Sequence, residues 1–173
     1  YSFKVYKSQN DSSWPVARQI VSVPVSSEDQ KYTFSADVKT DGELNGGEGA
    51  VIHVDAFKDN VQTSDDNYSR WLKSTDGEWK RISVTLNVPA GSNYIRCYFG
   101  IKNSQGSAYF DCLQLEKGDT ANSYNMLQCS DFKESNSNIW CPTGLESYDL
   151  VTENGMRIKG NTKMAKNICQ KIV

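Results

Sequence analysis

Apolar and polar residues alternate with a period of two along most of this chain, the pattern of strands that bury one face. In Tyr32–Val38, Phe34, Ala36 and Val38 fall on one face and Thr33, Ser35 and Asp37 on the other. In Ala50–Phe57, Ile52, Val54 and Ala56 oppose Val51, His53, Asp55 and Phe57. Ile82, Val84, Leu86 and Val88 form the apolar face of Arg81–Val88. Ile95, Cys97, Phe99 and Ile101 oppose Tyr94, Arg96 and Tyr98 in the next segment. Ala108–Leu115 is the last strong strand signal. Asp41-Gly42, Gly46-Gly47, Asp76-Gly77, Pro89-Ala90-Gly91 and Gln105-Gly106 separate these segments as turn formers. No amphipathic stretch of three helical turns occurs. Short strands at this spacing predict an all-β fold, an antiparallel sandwich or barrel. Residues 59–77 are polar and aperiodic, and are expected to be a long loop with little regular structure.

Charge narrows the picture. The chain has 173 residues and a net charge of −2, from 19 basic and 21 acidic side chains. No basic cluster exceeds two adjacent residues, which argues against a nucleic-acid surface. The apolar runs are short, so no membrane insertion is expected. The chain starts at Tyr1, inside an alternating segment, without an initiator Met or a signal peptide, as a fragment of something longer would. An internal echo points the same way. Phe3-Lys4-Val5 matches Met156-Arg157-Ile158, and Gln19-Ile20-Val21 matches Gln170-Lys171-Ile172. A period near 150 residues is too long for a solenoid and fits tandem repetition of whole domains. The alternative is that two ordinary strands share a common pattern.

Candidate chemistry is sparse. The one histidine, His53, lies in a strand, and there is no GxSxG nucleophile motif. Asp37 and Asp55 could share a face as a carboxylate pair, although solvated strand residues would look the same. Gly46-Gly47 lacks the Lys-Ser/Thr of a phosphate loop. Five cysteines without a CxxC pair argue against a zinc site and against a complete disulfide framework. Most are expected to be free and buried, with Cys129–Cys141 the pair to test for a single bridge.

Three segments carry a resemblance. Tyr32-Thr-Phe-Ser-Ala-Asp-Val-Lys-Thr40, Gly77–Gly91 and Gly106–Gly118 resemble the core of the CBM4/9/22-like jelly-roll carbohydrate-binding modules. Tyr124-Asn-Met-Leu-Gln-Cys-Ser-Asp-Phe132 resembles the opening motif of such a module. A closing motif followed by an opening motif is similar to tandem modules of Rhs/YD-repeat, wall-associated bacterial surface proteins. The resemblance implies an antiparallel jelly-roll β-sandwich of the galactose-binding-like kind, extracellular or at the bacterial cell surface. Residues 1–123 would be a module lacking its first strand or strands. Residues 124–173 would open the next repeat, completing the sandwich in cis or by strand exchange in a homodimer. The implied function is non-catalytic binding of a polysaccharide or glycan. The alternative is a structural spacer or protein-interaction module, with a hydrolase a distant third.

Sugar binding needs aromatic faces and planar polar side chains. The face holding Asp37, His53, Asp55, Phe57, Arg96 and Tyr98 corresponds broadly to the family's concave sheet. Tyr68 and Trp71 in the long loop would form a rim. Trp79 is expected to pack within the framework, Trp140 to match a core position, and Trp14 is ambiguous. The resemblance also implies a structural Ca²⁺ on Asp111, Glu28 and the Lys31 carbonyl. The opening motif departs from the family there, since Lys133 stands where an acid is usual and Glu134 follows it.

Overall fold

A computed structural model describes residues 2–65, 68–121 and 125–127, and the backbone of four further strands. In chain order the strands are β1 (Phe3–Lys7), β2 (Val16–Ser22), β3 (Gln30–Thr40), β4 (Asn45–Lys58), β5 (Val61–Gln62), β6 (Ser69–Leu72), β7 (Lys80–Val88) and β8 (Tyr94–Lys117). The backbone-only strands are β9 (Cys141–Thr143), β10 (Leu150–Thr152), β11 (Gly155–Gly160) and β12 (Asn167–Ile172). No helix occurs among the described residues. None is therefore long and apolar enough to cross a membrane.

The strands form the two sheets of an antiparallel jelly-roll sandwich. The first runs β10-β11-β1-β8-β3-β7; the second runs β9-β12-β2-β8-β4, with β5 and β6 beyond β4. β8 belongs to both. Its Tyr94–Gln105 half pairs with β2 and β4, and its Gly106–Lys117 half pairs with β1 and β3. Gln105-Gly106 does not break the chain into two strands as its turn-forming residues predict. The strand continues, and Gly106, at φ 136°, allows the crossing between sheets.

The period-2 faces meet in one interior. Ile52, Phe99, Phe34 and Leu86 are fully buried there, and Val84 is nearly so. Phe99, on the second sheet, meets Phe3 edge-on with centroids 5.0 Å apart. It meets Phe110 at 5.0 Å in a tilted arrangement. Both partners belong to the first sheet, so this trio ties the two layers together.

Three further expectations need correction. The segment 59–77 is not structureless. Asp59 and Asn60, at φ 48° and 71°, make a two-residue hairpin turn from β4 into β5, and β6 follows. Asn and Asp tolerate that left-handed region because their short polar side chains bond locally. Trp79 is 45% exposed rather than packed. Val51, His53, Asp55 and Phe57 were expected on a half-solvated face, yet all are buried, so β4 is covered on both sides.

Residues 125–127 pack against the end of β8 and the core. Asn125 Oδ1 accepts from Leu115 N (3.1 Å) and Leu127 N (2.9 Å), and its Nδ2 donates to the Leu113 carbonyl (2.7 Å). Leu127 is buried in the main cluster. The echo segments meet in space. β11 pairs in parallel with β1, Val5 opposite Ile158, and β12 pairs in parallel with β2, Gln19 opposite Gln170. Each position therefore lies beside its own echo. The candidate bridge Cys129–Cys141 and the core assignment of Trp140 lie outside the described side chains. Cys97 is free and buried as expected; Cys112 is free but exposed.

A chain ended after Leu127 would leave β1 and β2 as open edges, which recruit other strands. It should self-associate with rising concentration in light scattering, whereas a strictly monomeric truncation would show that these edges are protected without β11 and β12.

Candidate binding face on the second sheet

The outward face of the second sheet is built by register. Arg18 on β2 lies opposite Tyr98 on β8, which lies opposite His53 on β4, which lies opposite Ser69 on β6. The next row outward along β8 is Ile20, Arg96 and Asp55, and the one after it is Ser22, Tyr94 and Phe57. On the other side, Val16, Gly100, Val51 and Trp71 share a row. Side chains two apart on a strand point the same way, so these rows form one surface.

His53 sits at its centre. Its Nδ1 is 2.7 Å from Ser69 Oγ. Its Nε2 is 2.8 Å from Asp55 Oδ1, an ion-pair approach without hydrogen-bond alignment, so that oxygen has no hydrogen-bond partner. Serine, imidazole and carboxylate thus stand in line, but His53 and Asp55 are only 8% and 5% exposed. The rings of Trp14 and Tyr98 lie 5.6 Å and 5.5 Å from the imidazole and cover it. Beside them Phe57 and Tyr94 stack, with centroids 5.1 Å apart and planes 4° from parallel. The Arg96 guanidinium lies 4.0 Å over Phe57 and donates to Tyr94 Oη at 3.2 Å. Burial pushes the Tyr98 phenol up and the Asp55 charge adds to that, while Arg96 and Arg18 oppose it. Directly behind the face, burial pushes the Cys97 thiol well up, so it stays protonated at neutral pH.

The face therefore gathers His53, Asp55, Phe57, Arg96 and Tyr98, with Trp71, 52% exposed, at the rim. Two expected residues lie elsewhere. Asp37 is on the first sheet, 3.3 Å from Arg81 Nη1, so it forms no carboxylate pair with Asp55. Arg81 also donates to the Cys112 carbonyl, Ser35 Oγ and Gln114 Oε1, fastening the β8 bulge at Cys112. Tyr68 packs against the core, not the rim, and its carbonyl accepts from Val54 N. Sequence reading missed Trp14, Arg18, Ser69 and Tyr94. Arg18 was within reach, because a strand that buries Ala17 and Val21 turns Arg18 and Ile20 to the opposite face.

The proposed calcium ligands are not brought together. Asp111 pairs with Asp37, six residues along β3 from Lys31 and about 20 Å away at the rise of a strand. The Lys31 carbonyl accepts from Gly118 N, and Asp111 Oδ1 accepts from Cys112 N. No cluster of three or more His, Cys, Asp or Glu suited to a metal occurs among the described residues.

No family model matches the chain. Among curated proteins it is similar to the tRNA nuclease WapA of Bacillus subtilis (strain 168), 30% identical over 117 residues, 65% of this chain and 5% of the relative. It is also similar to the tRNA3(Ser)-specific nuclease WapA of Bacillus spizizenii, 29% identical with the same coverage. The chain thus spans about 5% of the length of the curated relatives it matches. Among solved structures, the carbohydrate-binding module of PbXyn10C in its apo form has a TM-score of 0.47 at 17% identity, covering 78% of this chain and 77% of that one. A family 16 carbohydrate-binding module has a TM-score of 0.46 at 16% identity, covering 66% and 75%.

The loop carrying Trp14 is held at two points. Lys7 Nζ, buried, donates to the carbonyls of Asp11 and Ser13 at 2.7 Å each and lies 3.0 Å from Asp11 Oδ1. At the far end the Pro15 carbonyl passes so close over Gly100 that a Cβ there would be 2.1 Å away. Gly100→Ala should displace this loop and cost about 1–3 kcal/mol by overpacking, read as a fall in thermal midpoint. Hydrogen bonds from the Ser13 side chain and backbone, then from Lys7, hold the Asp11 carboxyl down at about 2, below its ordinary 3.8. A lowered pKa contributes stability above the ordinary value that is lost as pH falls through the folded one. The loop should therefore loosen between about pH 4 and pH 2, moving the Trp14 indole N–H signal in NMR, and Asp11→Asn should abolish that titration.

Proposed function

We propose that this chain is a non-catalytic glycan-binding module whose outward face on the second sheet is the binding site. The observation that carries the reading is the density of ring faces and unsatisfied planar polar groups on one sheet surface. Trp71, Tyr94 and Tyr98 offer faces for the C–H side of a pyranose, and Arg18 and Arg96 offer hydroxyl partners. The Ser69–His53–Asp55 line supports a structural role in this reading, since two rings cover the imidazole and its partners are cross-strand neighbours. Placement within a long, exported bacterial surface protein is supported by the internal echo and by a match confined to a small part of long relatives. In this reading the nuclease activity in those relatives' names belongs to other parts of their chains, and a net charge of −2 agrees with that division.

One observation favours a second reading, a spacer between repeats. Equivalent strands pair in register at the edges of both sheets, as a repeat-to-repeat contact would, either in cis or by exchange between two chains.

A broad glycan array with the intact chain separates the two. Binding to at least one glycan, weakened about fivefold to tenfold in Trp71→Ala by loss of one stacking face, supports the module. Absence of binding across the array supports the spacer. Binding that Trp71→Ala and Tyr98→Phe both leave unchanged would place the glycan on another surface.

A further inference from the structure

The charges on the proposed face are unbalanced. Arg18 and Arg96 project from neighbouring strands and flank the Tyr98 phenol, which feels both charges. Arg18 has no hydrogen-bond or ion-pair partner among the described residues, and Arg96 donates only to neutral phenols. Both Nε atoms are sealed from solvent without an acceptor, as is the Trp14 indole Nε1. The carboxylate of this face, Asp55, is buried and engaged by His53. Two guanidinium groups thus share one carboxylate, Asp55, the cross-strand neighbour of Arg96, and an anion that reaches their terminal nitrogens would balance the excess positive charge.

We infer that the ligand of this face is an acidic glycan whose carboxylate is bound by Arg18 and Arg96. The inference rests on the reading of this face as a glycan site. A carboxylate is planar and matches the guanidinium fork in a bidentate contact, whereas a neutral hydroxyl leaves the charges unmatched. The remaining ring faces suit the uronate pyranose that carries such a group. Whole-molecule attraction does not supply this preference, because the chain is net negative.

The test uses the intact 173-residue chain and matched polymers. Polygalacturonate, alginate and glucuronoxylan are each compared with the same polymer after esterification or reduction of its carboxyls. At least one acid form should bind tenfold or more tighter than its neutralised partner, with affinity falling as salt rises. Arg18→Gln and Arg96→Gln should each weaken that binding tenfold or more. Arg18→Lys, which keeps charge and loses the fork, should fall between, and Lys80→Gln on the first sheet should change nothing. Thermal unfolding of each variant separates loss of fold from loss of site. Equal affinity for acid and neutral forms overturns the acidic assignment while leaving glycan binding intact. Acid-form binding unaffected by either glutamine variant overturns the two arginines. A glycerol-phosphate polymer bound as tightly as the uronates overturns the carboxylate. Failure to bind any glycan at all removes the underlying site reading instead.

Discussion

A single strand, β8, supplies hydrogen-bonding edges to both sheets, pairing with β2 and β4 along its first half and with β1 and β3 along its second. The two layers are thus joined through covalent backbone as well as through packed side chains. Phe99 on one half and Phe110 on the other meet each other, and Phe3 closes the trio. The crossing depends on a residue that tolerates φ 136°, which Gly106 provides without a Cβ to collide with Leu44. If the halves of β8 were separate strands, the rows of side chains on the two sheets would lose their fixed relation.

The candidate face lies on the second sheet, along the first half of β8. β4 lies between β8 and β6, and its polar positions fall opposite Tyr98, Arg96 and Tyr94 on one side and Ser69 on the other. A second layer of side chains then seals His53 and Asp55. The rings of Trp14 and Tyr98 lie over the imidazole, and the Phe57–Tyr94 stack continues the cover. Burial of an imidazole and a carboxylate is tolerated because each is the other's partner. Arg18 and Arg96 form no ion pair of that kind among the described residues, and their two charges exceed the one of Asp55.

The far sheet shows the opposite economy. Arg81 uses its fork on Asp37, Ser35, Gln114 and the Cys112 carbonyl, so a polar cluster of similar composition is closed on itself. Composition alone does not distinguish the two clusters; the count of satisfied donors does. In the expected calcium set, the Lys31 carbonyl and the Asp111 carboxylate each accept from a backbone N–H and lie on different stretches of β3 and β8.

Alternation by itself determined that the chain is built of strands, and which residues of β3, β4, β7 and the first half of β8 face the interior, because a period of two leaves an unbulged strand no choice of face; the bulge at Cys112 shifts the pattern from Ala108 and Phe110 to Leu113 and Leu115. It also placed His53, Asp55, Arg96 and Tyr98 opposite the apolar faces of their strands, and the echo marked the strands that pair in register. It did not show which strand lies beside which. Asp37 and Asp55 look alike in sequence, yet they belong to different sheets. Tyr68 and Ser69 are adjacent, yet one enters the core and the other reaches the imidazole. The Asp59-Asn60 hairpin was hidden because neither residue is a glycine, and the role of Trp14 because it comes from a loop held by Lys7 and Pro15. Pairing partners, the crossing of β8 and the cover over His53 arise from contacts between residues far apart in the chain. Only the tertiary structure decides them, because local periodicity carries no record of distant neighbours.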